Sequence, residues 1–314
     1  MPDAAPTAAR TTAIADAMAG LLGYLELWDS MRRQPGICDL LLGNPQEMPL
    51  PGFVDAIQRH AEPHDKDWFA YKRSEPEARA VVANALREWR GLPFEPADIA
   101  LTTGAFGALA TAFRALLDPG DEVVYSLPPW FLYEPMLLSA DAVPVKVRVR
   151  PEDLDLDLDA IGSAIGPRTR AVIVNTPHNP TGRIYPPATL MALADLLTDA
   201  SARHGRPIWL ISDEPYARLV FSDAEFHSPS EYYPYTLIPY SYGKGSAHPG
   251  RADRVAGNLA VGSTPGGAAA GDRRVPDRGG LAVPQRRPAV RDRRSGTAFH
   301  RPGRPRAQTG PGRG

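Results

Sequence analysis

Residues 171–175, Ala-Val-Ile-Val-Asn, form an apolar, largely β-branched run with no polar residue until its last position. A strand of this kind has no face to offer to water. It predicts a place inside a sheet covered on both sides, which is where parallel strands of strand–helix–strand units sit. The surrounding pattern agrees. Apolar residues at helical spacing (Ile14, Met18, Leu21, Leu22, Leu25, Trp28) predict a helix over 14–33. Further helices are predicted over 51–59, 77–89, 105–117, 133–139 and 188–202, and strands over 99–102, 122–125, 143–149, 171–175 and 208–212. Strand and helix in alternation give an α/β fold with a mostly parallel sheet flanked by helices. In such sheets ligands bind at the carboxyl ends of the strands.

At 314 residues the chain exceeds the length at which one hydrophobic core stops growing, so one large domain and part of a second are expected. Its 43% hydrophobic and 23% charged residues exclude wholesale disorder. The single cysteine, Cys38, excludes an internal disulfide framework and a multi-cysteine metal cluster. No apolar run reaches the ~18–20 residues of a membrane span, and residues 1–10 lack the layout of a signal peptide. A cytoplasmic protein is expected.

The overall charge of −1 conceals a break. Residues 245–314 hold 14 Arg, no Lys, 4 Asp and no Glu, with 14 Gly, 8 Pro and 11 Ala. They contain no Ile, Tyr or Trp and one Phe, too little apolar surface to offset the entropy of ordering, so disorder is expected. Three readings compete for this tail. One is an Arg-rich nucleic-acid binder, weakened by the lack of aromatics for base stacking. Another is a plain disordered extension. The third is a shifted reading frame, since Gly, Arg, Pro and Ala each have a codon box that begins with two G/C bases.

Four short segments follow predicted strands. Thr103-Gly104-Ala105-Phe106-Gly107 opens a helix, where small residues let backbone N–H groups approach a phosphate; alone the signal is weak, because a Gly near a helix start is more often only a turn. In His178-Asn179-Pro180-Thr181-Gly182, the Asn-Pro turn leaves Asn179 at the sheet edge with a donor and an acceptor, and His178 reads as a packed or solvated turn residue. In Asp213-Glu214-Pro215-Tyr216, a carboxylate directly after a buried strand is costly without a cation partner; it reads either as a helix cap or as the holder of a protonated nitrogen. In Ser241-Tyr242-Gly243-Lys244, a lysine near Tyr232, Tyr233, Tyr235, Tyr240 and Tyr242 is placed for partial desolvation, which a carbonyl-attacking amine needs. Together the four suit a ligand with a phosphate, an ionisable ring nitrogen and an aldehyde. Pyridoxal 5′-phosphate has all three.

From about residue 40 to Lys244, with Pro249-Gly250 beyond, the chain resembles the class I/II aminotransferases of fold type I, which use pyridoxal 5′-phosphate. The resemblance implies that Lys244 carries the cofactor and shuttles a proton from the substrate Cα, and that Asp213 keeps the ring nitrogen protonated. It implies that Asn179 and Tyr216 bond the ring O3′, that Trp130 stacks on the ring, and that Gly104, Ala105, Phe106 and Ser241 bind the phosphate. Tyr71 resembles the tyrosine that reaches the neighbouring subunit's cofactor, which implies a homodimer. Gly43-Asn44-Pro45 would line the substrate pocket. The implied domains are an N-terminal segment of a small domain (1–45), an incomplete cofactor-binding large domain (46–250) and the tail (251–314).

One departure bears on the tail. The family places a phosphate-binding Arg eight residues after the lysine, in a Pro-Gly-x-Arg-Ile-Gly context. Here Pro249 and Gly250 fall where expected, but the eighth residue is Ala252. Codons for Ala252-Asp253-Arg254, read one base later, can encode Arg-Ile-Gly, which favours the shifted frame. Nothing in residues 245–314 resembles the part of the family that pairs with the substrate α-carboxylate. The expectation is therefore an aminotransferase acting on an amino acid and a 2-oxo acid, impaired in this chain. The rivals are a β-lyase or synthase on the same fold and a non-catalytic cofactor-binding remnant. No metal, membrane or nucleic-acid partner is expected.

Overall fold

The structure, a computed structural model, describes residues 7–39, 41, 48–221, 224–244 and 260–261. Two compact units divide at Ala268/Ala269, and the second lies outside the described residues.

The chain opens with α1 (Ala9–Met31), α2 (Pro51–Ala61) and α3 (Pro76–Arg90). Proline stands at the start of α3, where its missing N–H costs nothing, and Gly91 (φ 65°) ends the helix in the left-handed conformation. Then come β1 (Ala100–Leu101), α4 (Gly104–Leu116), β2 (Glu122–Leu127), α5 (Tyr133–Ser139) and β3 (Val143–Arg148). They are followed by α6 (Leu158–Ala164), β4 (Thr169–Asn175), α7 (Pro187–His204), β5 (Trp209–Asp213), β6 (Thr236–Leu237) and β7 (Ala260–Val261). Asp157 caps α6 by accepting from Ala160 N at 2.8 Å.

Five strands form one parallel sheet in the order β3-β2-β4-β5-β6. The fold is thus the α/β, mostly parallel architecture that the alternation predicts. Along each central strand the side chains alternate between two cores. Val124, Val172, Val174 and Leu210 join Leu190, Leu193 and Leu197 of α7 on one face. Val123, Tyr125, Ala171, Ile173 and Ile211 join Leu109, Phe113, Tyr133 and Leu137 of α4 and α5 on the other. A third cluster (Val82, Phe94, Ile99, Ile238) seats α3. After β2 the chain moves outward to β3, then returns to the far side of β2 for β4. This reversal makes the carboxyl ends of β2 and β4 the topological switch point, where a crevice opens and ligands bind.

Some expectations need correction. The strand expected over 99–102 is only Ala100–Leu101. The sequence pattern gives no sign of α6, whose large apolar residues are just Leu158 and Ile161, or of β6, whose two residues carry no alternation. The tail, expected to lack structure, contributes β7, paired antiparallel with β1; the rest of residues 245–314 lies outside the described residues, and so does Gly43-Asn44-Pro45.

Candidate functional site

A cavity of about 260 Å³ opens at the switch point. It is lined from the start of α4 (Thr103, Gly104, Ala105, Phe106), the end of β2 (Trp130), the ends of β4 and β5 (Asn175, Asn179, Asp213, Tyr216) and the segment after β6 (Ser241, Lys244). Gly104, Ala105, Phe106, Trp130, Asn179, Asp213, Tyr216, Ser241 and Lys244, named from the sequence, all line it. Tyr71 stands outside the cavity, its side chain fully in solvent.

The α4 end is built for an anion. The first-turn amides of a helix lack intrahelical acceptors, and Thr103 at the N-cap makes no side-chain capping bond. Gly104 has φ 75°, a conformation that favours glycine. A Cβ on Gly107 would stand 2.8 Å from Thr103 Oγ1, so glycine there lets the turn close. Ser241 Oγ lies beside Gly104. Trp130 borders the cavity, its ring set edge-on to Phe106 (6.3 Å) and Tyr133 (5.4 Å).

Asp213 is 4% exposed, and its Oδ2 accepts a 2.5 Å hydrogen bond from the Tyr133 hydroxyl. Its Oδ1 has no hydrogen-bond partner among the described residues. Burial pushes this carboxyl up to about 7, against the Tyr133 bond, and the neighbouring Glu214 charge adds to the rise. The sequence suggests a cation for such a buried carboxylate. Within the chain the partner is a phenol instead, and the nearby cation, Arg90, pairs with Glu214. Residues 215–218 after β5 form a turn and not a helix, so Asp213 is not a helix cap.

Asn175 supplies a link that sequence reasoning missed. Its Nδ2 donates to Asp213 O (2.8 Å), and its Oδ1 accepts from Asn179 N (2.6 Å), tying the ends of β4 and β5 to the Asn179 turn. The signal was the polar residue that ends an apolar strand. Tyr133, also missed, stands three residues after Trp130. The Asn179 side chain is hydrogen-bonded to the Tyr216 hydroxyl; burial raises that phenol and this bond partly offsets it. His178 is packed, as expected, and burial lowers its imidazole to about 4, so it is neutral at physiological pH.

Lys244 Nζ lies 6.0 Å from the Tyr216 ring, and partial burial lowers its amine below the ordinary lysine range. The tyrosine cluster expected around it is only partly there. Tyr233 bonds Ile208 O (2.8 Å), and Tyr235 packs on Trp209.

The donor set fits pyridoxal phosphate. One carboxylate oxygen lacks a partner, a helix end offers amides, and a desolvated amine borders the same cavity. No group of three or more His, Cys, Asp or Glu suited to a metal ion occurs among the described residues. No helix among them is long and apolar enough to cross a membrane.

Comparison with known proteins agrees with this geometry. The profile of the family described as aminotransferase class I and II matches residues 36–263. A probable aspartate/prephenate aminotransferase of Thermus aquaticus is 34% identical over 209 residues, 66% of this chain and 51% of that protein. An amino transferase structure from Eubacterium rectale aligns with TM-score 0.69 and 31% identity, over 80% of this chain and 62% of that one. The Thermus thermophilus aspartate aminotransferase with maleate aligns with TM-score 0.63 and 33% identity, over 77% and 62%. The chain spans about half the length of the curated relatives it matches.

Proposed function

Because this chain belongs to the class I and II aminotransferase family, whose members use pyridoxal phosphate, we propose that its cavity transfers an amino group between an amino acid and a 2-oxo acid. The observation that carries the reading is the convergence of Lys244, Asp213, the Asn179–Tyr216 pair and the start of α4 on one cavity. Bound there, pyridoxal phosphate supplies an aldehyde for an amine and an electron-accepting ring conjugated to it.

The protein's own groups would act as follows. The start of α4 and Ser241 would hold the phosphate, and Trp130, which borders the cavity, would pack against the ring. Asp213 would hold the ring nitrogen's proton, and Tyr133 fixes the carboxylate's aim by donating to its Oδ2. A carboxyl poised at about 7 is basic enough to hold that proton, and the ring cation would return it to the ionised state. Asn179 and Tyr216 orient toward the ring hydroxyl. Lys244, whose partial burial favours the neutral amine, is the residue that would hold the cofactor through its aldehyde and would serve as the base for the substrate Cα proton.

Tyr71, fully exposed, and the uncovered apolar residues Leu22, Tyr24 and Leu27 of α1 support a homodimer in which Tyr71 reaches the partner's site. The domain division at 45/46 and 250/251 and the cytoplasmic location belong to the same reading. Relatives named for aspartate put dicarboxylic amino acids first in a substrate panel.

Borohydride reduction of the full chain incubated with pyridoxal phosphate tests the core of this. Mass spectrometry should find the cofactor fixed on Lys244, and Lys244→Ala should abolish labelling. Labelling elsewhere, or none, overturns the proposal. Turnover by this 314-residue chain is expected to be weak, because residues 245–314 lack a recognisable carboxylate-pairing arginine context; robust turnover overturns that expectation.

A further inference from the structure

Among the described residues, Glu214 is the one fully buried carboxylate beside the cavity that the proposed chemistry leaves without a task. It follows Asp213 directly, so the two side chains leave the end of β5 in different directions. Its Oε1 accepts from Ser212 Oγ (2.7 Å) and Ser228 Oγ (2.7 Å), and its Oε2 accepts from the Arg90 guanidinium at the end of α3. The Arg90 side chain is only 4% exposed and lies between Trp89 (4.1 Å) and Phe226 (5.2 Å). Glu214 N also donates to Pro239 O (3.0 Å), two residues before Ser241.

A buried ion pair is a poor device for stability alone, since a well-packed apolar pair does as well or better. What this pair does is geometric. The Glu214 side chain joins α3, the end of β5 and the Ser228 turn, and its backbone N–H ties the same point to Pro239, on the segment leading to Lys244. Asp213 and Lys244 sit on two of the joined segments.

We propose that Glu214, clamped by Arg90, is a positioning residue of this site: it fixes the aim of Asp213 at a ring nitrogen by locking the end of β5 against α3 and the segment that carries Ser241 and Lys244. The inference rests on the cofactor reading above. Tyr133, Tyr216 and Glu214 interact electrostatically with Asp213, and Lys244 lines the same cavity. Of these only Glu214 brings a negative charge, which makes Asp213 the better proton acceptor. Replacing Glu214 by Gln removes that charge and leaves Arg90 a buried cation without its counter-ion.

Binding of two compounds to the full chain separates positioning from mere support. One is pyridoxal phosphate. The other is 1-deazapyridoxal phosphate, in which CH replaces the ring nitrogen. Wild type is expected to prefer the nitrogen compound. Glu214→Gln should weaken pyridoxal phosphate tenfold or more and the deaza compound less than twofold, collapsing the preference. Equal losses for both would mean that Glu214 only supports the fold, and would overturn the proposal. Ser228→Ala, which removes one bond to Glu214 and keeps both charges, guards against a Glu214→Gln chain that does not fold. It should shrink the preference about threefold, and an unchanged preference overturns the proposal. Wild type that binds neither compound overturns the cofactor reading and this inference together. Equal losses in the variant beside an intact wild-type preference overturn this inference alone.

Discussion

The sheet-centred body and the N-terminal helices treat apolar residues in opposite ways. In the body, Leu190, Leu193 and Leu197 of α7 are buried, and both faces of the sheet are covered by the chain's own helices. In α1 no residue is buried, and Leu22, Tyr24 and Leu27 are about half exposed. Apolar spacing alone therefore does not place a helix in a core. What separates α7 from α1 is a sheet face to pack on, which the β4-α7-β5 crossover supplies and which α1 lacks. The body meets its hydrophobic requirement within itself; α1 offers apolar surface that a second copy of the chain would cover.

Core truncation should separate the two regions most. Leu193→Ala removes a fully buried side chain and should cost ~2–5 kcal/mol, read by chemical denaturation. A cost below that of an exposed site would break the contrast. Asp213→Asn sharpens it within the body, because this carboxyl sits in low dielectric without a charged partner. Its carboxyl is raised from 3.8 to about 7, so the folded state holds its proton across that interval while the unfolded chain releases it. Stability from this group is complete below about pH 4 and is lost as pH rises through 7. The cofactor-free Asn variant should therefore gain on wild type at pH 8, by a few kcal/mol at most at ~1.4 kcal/mol per pKa unit, and the gain should vanish near pH 4. Melting curves that stay parallel from pH 4 to 8 would show that Asp213 is not held this way. The smallest effect belongs to α1. Leu27→Ser should change the chain's own stability by no more than ~0.5 kcal/mol, yet shift a dimer toward monomer in sedimentation. An unchanged association state would detach α1 from the proposed interface.

The same contrast explains how much of the molecule could be read in the sequence. Val172, Ile173 and Val174 announced a doubly covered strand because no face of that run can meet water. The helical spacing over 77–89 marked α3, which spans Pro76–Arg90, because that periodicity acts between near neighbours. β6 gave no such sign, since its two residues are held by pairing with β5 and not by a pattern of their own. In the site, Gly104, Asn179, Asp213, Tyr216, Ser241 and Lys244 were visible as short segments after strands, and the structure brings these segments to one cavity.

The partners of those residues were hidden. Tyr133 is 80 positions from Asp213 and Arg90 is 124 from Glu214, and no local spacing records contacts over such distances. The Asn175 bridge was hidden as well, because it depends on β4 and β5 lying side by side. The amino-acid order alone determined the layered α/β scheme and the chemistry available at the strand ends, because periodicity and turn preference act between near neighbours. The tertiary structure alone decided which carboxylate faces the cavity with an oxygen to spare and which is neutralised behind it. Burial and charge pairing are properties of the packed interior, where the strand order sets who meets whom.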